Sequence, residues 1–222
     1  MNAIDANLFD PSSFTDIANA AQMFERFPHY EQVLRWIEGF VLKPDRRLHR
    51  PGAVCPRLAP TIERNLVRLV TVKTTAATLA EAVEKIPHLA DLYIELFGQS
   101  QALLRGGVLL AIFPDVDPDD AAEFIDGGHA AVRVDFVRRG LMLGEFHTSS
   151  SVGSVHNPTF PVMQSPVPMF AVRALTVHDI LFLDRPGEHR AELLGHYLDL
   201  LGDQIPTQIA RRVERTLETI GH

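Results

Sequence analysis

The chain of 222 residues holds a single thiol, Cys55, within H-R-P-G-A-V-C-P-R-L, His49 to Leu58. Thiolate is the reactive and metal-binding form of cysteine, and nearby cations favour it. His49, Arg50 and Arg57 are basic neighbours in sequence, and Pro51, Gly52 and Pro56 restrict the direction of the sulfur. A cysteine before proline in a rigid loop suits an axial haem ligand, whose electron donation favours O–O cleavage. Against this stands the ordinary role of a lone cysteine, a small buried hydrophobe.

A second group lies in G-L-M-L-G-E-F-H, Gly140 to His147. On a strand, Glu145 and His147 share one face, as an acid–base or ligand pair. Gly144 within that strand suggests a bulge or a close approach by a ligand. The third group is the stretch 148–168, about twenty residues without a regular pattern, too long for a simple connection. Its prolines and interspersed Phe160, Val162 and Met163 predict an ordered loop, with His156 and Asn157 at the polar tip. Just beyond it, Arg173 in M-F-A-V-R-A-L is a cation suited to holding a carboxylate.

The elements that must position these groups follow from periodicity. Val33, Leu34, Ile37, Phe40 and Val41 recur at helical spacing and end before Pro44. Four prolines and Gly52 between Lys43 and Pro60 make an irregular loop, which carries Cys55. Strands are expected at Asn65–Val72, Gly107–Phe113, Leu141–His147 and Met169–Leu175, rich in β-branched and aliphatic residues. Thr78–Phe97 reads as a helix divided at Pro87, with Thr78 and Glu81 in capping-box register. The acidic run 117–120 opens another helix, interrupted or weakened at Gly127-Gly128 and stopped at Gly140. Two helices close the chain, at about Gly187–Leu201 and Ile205–Ile220, and residues 1–18 read as an arm.

The expected fold is therefore α+β (α/β-like), one domain over 1–222. A mixed sheet of about four strands in β-α-β-α-β-β order is covered by helices. That order is compatible with a thioredoxin-like topology, but without C-x-x-C there is no thiol redox chemistry of that kind. The 43–60 and 148–168 loops are expected to meet and wall one pocket containing Cys55 and His147.

A formal net charge of −7 argues against a sequence-independent nucleic-acid binder, which needs a basic face. No run approaches a membrane span, and the N-terminus lacks the pattern of a signal peptide. One cysteine makes no internal disulfide, so nothing requires an oxidising compartment and the expectation is a cytoplasmic protein; the partners expected are a small-molecule substrate and a second copy of the chain, as a homodimer.

V-C-P, R-G-L-M-L-G-E-F-H, H-N-P-x-F and S-P-V-P-M-F-A-V-R-A-L followed by D-I-L-F-L resemble an uncharacterised family of bacterial proteins. That family is common in actinobacteria, is often encoded near biosynthetic gene clusters, and is a domain of unknown function. The resemblance runs from about Trp36 to Tyr197. More remotely, the Cys-Pro loop and the S-P-x-P strand are similar to the YqcI/YcgG group, some of whose members are haem-dependent enzymes that hydroxylate amine or guanidine nitrogen. This resemblance implies a haem-thiolate N-oxygenase, with Cys55 as proximal ligand flanked by His49 and Arg57. His147 or His156, with Glu145, would then serve as acid–base groups, and Arg173 and Asn157 would hold the substrate. The alternatives are a non-catalytic binding protein, with 148–168 as its docking surface, or a mononuclear metal site of Cys55, His147 and His156.

Overall fold

In the computed structural model, which describes residues 8–220, every expected strand forms and one more is added. Thr15–Asp16 (β1) lies antiparallel against Val67–Thr71 (β2), and an isolated bridge ties Phe9 to Val72. The part of the expected arm that is described is thus stitched to the sheet edge, while residues 1–7 lie outside the described residues. Pro28–Trp36 (α1) continues into a π-helical turn, Ile37–Val41, and Leu58–Glu63 (α2) follows the Cys55 loop. The division at Pro87 separates Leu79–Lys85 (α3) from Pro87–Phe97 (α4). Gln101–Gly106 (α5) was not expected; Ser100 caps it by accepting the amide of Leu103.

Val108–Ile112 (β3) pairs parallel with β2. The helix opened by the acidic run is not interrupted at Gly127-Gly128. It passes instead from a π-helical turn, Ala122–Gly127, into Gly128–Arg138 (α6). Leu141–Phe146 (β4) and Met169–Ala174 (β5) are antiparallel to each other. Ile180–Leu183 (α7), Arg190–Leu201 (α8) and Thr207–Ile220 (α9) complete the chain. Their apolar residues, among them Leu183, Leu193, Tyr197 and Val213, form a cluster over Val137 of α6. No helix of the described residues is long and apolar enough to cross a membrane.

The sheet order is β1-β2-β3-β5-β4, a mixed α+β arrangement. A thioredoxin-like topology is not confirmed, because β5, last in sequence, inserts between β3 and β4. With β5 antiparallel to both neighbours, β2, β3 and β4 all run one way. They end together in the row Thr71, Ile112, Phe146, where β5 begins at Met169. In open sheets of this kind the loops leaving the carboxyl ends of the strands are where ligands bind.

The register divides the side chains between two faces. Val70, Ala111, Phe170 and Glu145 form one row, under α3, α4 and α6. Val67, Val108, Arg173 and Met142 form a row on the opposite face, which also packs against α1 and the residues around Cys55. No bulge occurs at Gly144, since the ladder runs unbroken from Leu141 to Phe146. What comes close to Gly144 is the Phe146 ring; a Cβ there would lie 3.0 Å from it.

Candidate active site

His147 follows the last residue of β4 and points to the α6 face, where its side chain is 1% exposed. Its Nε2 lies 3.1 Å from Oδ2 of Asp126, and its Nδ1 lies 3.2 Å from Oγ of Ser149. A carboxylate only accepts, so Nε2 carries the proton and donates to Asp126; Nδ1 then accepts the Ser149 hydroxyl. The result is an Asp126–His147–Ser149 relay with an exposed hydroxyl at its outer end. Asp126 reaches the imidazole from the π-helical turn, a helical distortion frequent at functional sites. Its second oxygen, Oδ1, is buried and has no hydrogen-bond partner in the protein.

One turn further along α6, a ring nitrogen of His129 lies 3.5 Å from Oε2 of Glu145, the two side chains being 16% and 13% exposed. The distance is that of an ion pair, but the protonation states are not. Burial pushes the Glu145 carboxyl up to about 7, and the Asp126 charge adds to this; Arg133 and Arg185 oppose it. Burial, with the Arg133 charge, pushes His129 down to about 4, although its ring is hydrogen-bonded to the backbone of Leu143. At neutral pH His129 is uncharged and Glu145 is close to half-protonated, so the pair holds one mobile proton rather than two opposite charges. A carboxyl titrating near the working pH is suited to proton transfer.

The ladder Asp126–His147 and His129–Glu145 brings together two of the sequence-predicted site residues, Glu145 and His147. It leaves the others elsewhere. Cys55 is half-buried against the apolar cluster containing Val41, Leu58 and Val67, on the opposite face of the sheet. Its amide donates to Val41 O at 3.0 Å. Arg57, one of the expected basic neighbours, and Arg173 are the cations whose charges act on it. Arg173, however, is committed to Asp179 by two hydrogen bonds of 2.7 and 2.6 Å. Met142, opposite Arg173, is five residues from His147, roughly 16 Å along the strand. Cys55 and His147 therefore share no cavity, and a haem on Cys55 gains no distal group from His147.

His49 is exposed, with a positive φ of 54°, and ends a 3₁₀ turn. His156 is exposed in the long loop. Asn157 is a fastening, its Nδ2 donating to Arg47 O at 2.9 Å. Among the described residues no group of three or more His, Cys, Asp or Glu side chains is placed to hold a metal ion, so a Cys55–His147–His156 centre does not form.

The two loops do meet. Besides the Asn157 bond, the Arg47 guanidinium sits 4.1 Å over the Phe160 ring. An open groove of about 540 Å³ lies between α1 and the long loop, with Gln32, Arg35 and Trp36 on one side and Thr148, Gln164 and Pro166 on the other. The 43–60 segment contributes nothing to it. Thr148, between His147 and Ser149, joins this groove to the end of the relay.

Asp126, His129 and Ser149 escape a reading of the sequence alone. The signal for Asp126 and His129 was present as D-G-G-H within a helical pattern, but the glycines read as an interruption. Ser149 lay inside a serine-rich run that reads as flexibility.

No curated protein and no solved structure matches the chain. The model of one family, described as a domain of unknown function (DUF6875), matches residues 30–212, from α1 into α9, and includes every residue of the ladder. The chain belongs to that family of unknown function.

Proposed function

We propose that the protein is an enzyme of acyl transfer or hydrolysis acting on a small ester, thioester or amide, with Ser149 as nucleophile. The observation that carries this reading is the continuous hydrogen-bond chain from exposed Ser149 through His147 to Asp126. Serine is a weak nucleophile unless an adjacent base takes its proton and a third group orients that base. Here the ring nitrogens exchange their usual duties, with Nδ1 toward the serine and Nε2 toward the carboxylate; the chemistry is the same. As Ser149 Oγ bonds to the carbonyl carbon, its proton passes to His147 Nδ1, and Asp126 stabilises the imidazolium. The bond to the leaving group then breaks, and the departing atom takes the proton from His147, which returns the imidazole to its basic form. Water, deprotonated by His147, cleaves the acyl-serine and restores the hydroxyl. The groove beside Thr148, with Trp36 and Pro166 among its walls, is suited to the apolar part of the acyl group.

The test needs no knowledge of the substrate. A fluorophosphonate probe should add once to the wild-type protein, and peptide mapping should place the adduct on Ser149. Ser149→Ala should abolish labelling, and His147→Gln should slow it by about 10²-fold or more, the contribution of a positioned base. Absence of an adduct, or an adduct that survives Ser149→Ala, refutes the reading.

A further inference from the structure

Both walls of the groove beside Thr148 are fastened to the end of β4. On the α1 side, Trp36 meets the Phe146 ring edge-to-face, with centroids 5.6 Å apart and planes at 73°. On the loop side, Gln164 forms a parallel bridge with His147, and the next amide, Ser165 N, donates to His147 O at 3.2 Å. Gln164 Nε2 donates in turn to Ser150 O at 3.2 Å, and Ser150 N donates to the same His147 carbonyl at 3.3 Å. The residue whose imidazole serves Ser149 therefore anchors one wall with its backbone, while its neighbour Phe146 holds the other with its ring. Thr148, a lining residue, is one Cα–Cα step of about 3.8 Å from both His147 and Ser149.

Trp36 is the one tryptophan of the chain and closes α1, where the helix passes into the π-helical turn Ile37–Val41. Phe40 in that turn lies 6.3 Å from the indole, and Phe40 itself meets Phe160 of the long loop at 6.2 Å. Phe146 and Phe40 thus fix the plane of the indole, which stays half-buried and lines the groove. A tryptophan oriented by its neighbours offers a rigid stacking surface at low entropic cost. The stiff ring of Pro166 lines the opposite wall, so a flat group between the walls is touched on both faces. Among the described residues that line the groove, Arg35 is the charged one, paired with Glu31, and there is no carboxylate to attract a cation. We infer that the groove receives a neutral or anionic aromatic ring, the acyl-side group of the substrate attacked by Ser149, and that Trp36 sets this preference by stacking on the ring. The place of the ring in the reaction rests on the Ser149 reading, whereas the receptor for the ring is a separate physical claim.

The lone tryptophan is its own reporter. Phenylacetamide titrated into the full chain should change the Trp36 emission and saturate at one site. Cyclohexylacetamide has nearly the same size and the same amide but no π face, and should bind about three- to tenfold more weakly. Calorimetry follows the variants that lack the reporter. Trp36→Leu should abolish the preference for the aromatic ring and Trp36→Phe should restore most of it, whereas a merely structural Trp36 would weaken both ligands alike. Far-ultraviolet circular dichroism must show each variant folded, and the comparison of the two rings on the wild type decides without them. No saturable change with phenylacetamide, cyclohexylacetamide binding as tightly, or a preference that survives in Trp36→Leu overturns the inference. For the reaction, a benzyl fluorophosphonate should label Ser149 faster than its cyclohexylmethyl counterpart by about the same factor. Labelling without that difference keeps Ser149 as nucleophile and overturns the aromatic site. Ring binding without labelling keeps the receptor and removes the acyl-transfer reading.

Discussion

Replacing Glu145 by glutamine is the perturbation whose outcome follows most directly from the structure. Glutamine has nearly the shape of the protonated carboxyl and never ionises. In the folded protein burial raises Glu145 from its ordinary 4.5 to about 7, and the side chain is only 13% exposed. A folded value above the unfolded one means that the native state holds this proton more tightly. The contribution is fully present below pH 4.5 and is lost as pH rises through about 7, when the folded protein must carry the buried charge. The difference between the two values corresponds to about 3 kcal/mol. Glu145→Gln should therefore match the wild type in stability at pH 4.5 and exceed it by about 3 kcal/mol at pH 8. His129 runs the other way, since a value pushed down to about 4 makes stability fall as pH drops from 6.5. It is present in both proteins, so comparing them at each pH isolates Glu145. Urea unfolding at pH 4.5, 6 and 8, with m-values checked for equality, measures the gap. A gap independent of pH, or a variant less stable than the wild type at pH 8, refutes the account of a carboxyl held neutral by burial.

Two further perturbations test the far side of the sheet. Asp179→Ala should destabilise the protein by about 3–5 kcal/mol, because it leaves the Arg173 guanidinium buried without its partner and uncaps the turn at Thr176. Chemical denaturation checks this, and a loss below about 1 kcal/mol would free Arg173 for the substrate-anchoring role expected from sequence. Cys55→Ser should cost about 1 kcal/mol, and wild-type protein incubated with haem under reducing conditions should show no thiolate Soret band. Such a band, lost in Cys55→Ser, would restore the haem-thiolate reading of the Cys-Pro loop.

The sheet was legible because its strands are runs of aliphatic residues bounded by turn signals, as at Val67–Thr71 and Val108–Ile112. Their order was not, since nothing local to β5 says that it enters between β3 and β4. Two-residue β1 is too short for a periodic signal and exists only because Thr15 and Asp16 find partners in Leu69 and Arg68 of β2. Glu145 and His147 were correctly placed on one face, since strand alternation requires it. Their partners were hidden for a different reason. A π-helical turn inserts an extra residue into the helical repeat, so a pattern counted at 3.6 residues loses phase across Ala122–Gly127. Cys55 drew attention by rarity and by its basic neighbours, of which Arg57 acts on it together with Arg173 from β5. What sequence could not show is that a whole sheet separates it from His147.

The same π-helical turn explains how a site of this kind is built and kept. At its junction with α6, Gly128 lies so close to α3 that a Cβ would stand 2.7 Å from Cδ1 of Ile86 and 2.9 Å from Cβ of Ala82. The glycine lets the two helices approach, and their approach holds the turn against the end of the sheet. Asp126 is thereby fixed beside the first residue after β4, with one oxygen on His147 and the other buried without a partner. A buried unpartnered oxygen costs folding free energy, on the order of 1–3 kcal/mol. A fold selected for stability alone has a simple remedy, an ordinary α-helical turn that points the carboxylate to water. That the chain retains the distorted turn, the unpartnered oxygen and a buried glutamate along one edge is the pattern of a site whose missing interactions are supplied by a ligand.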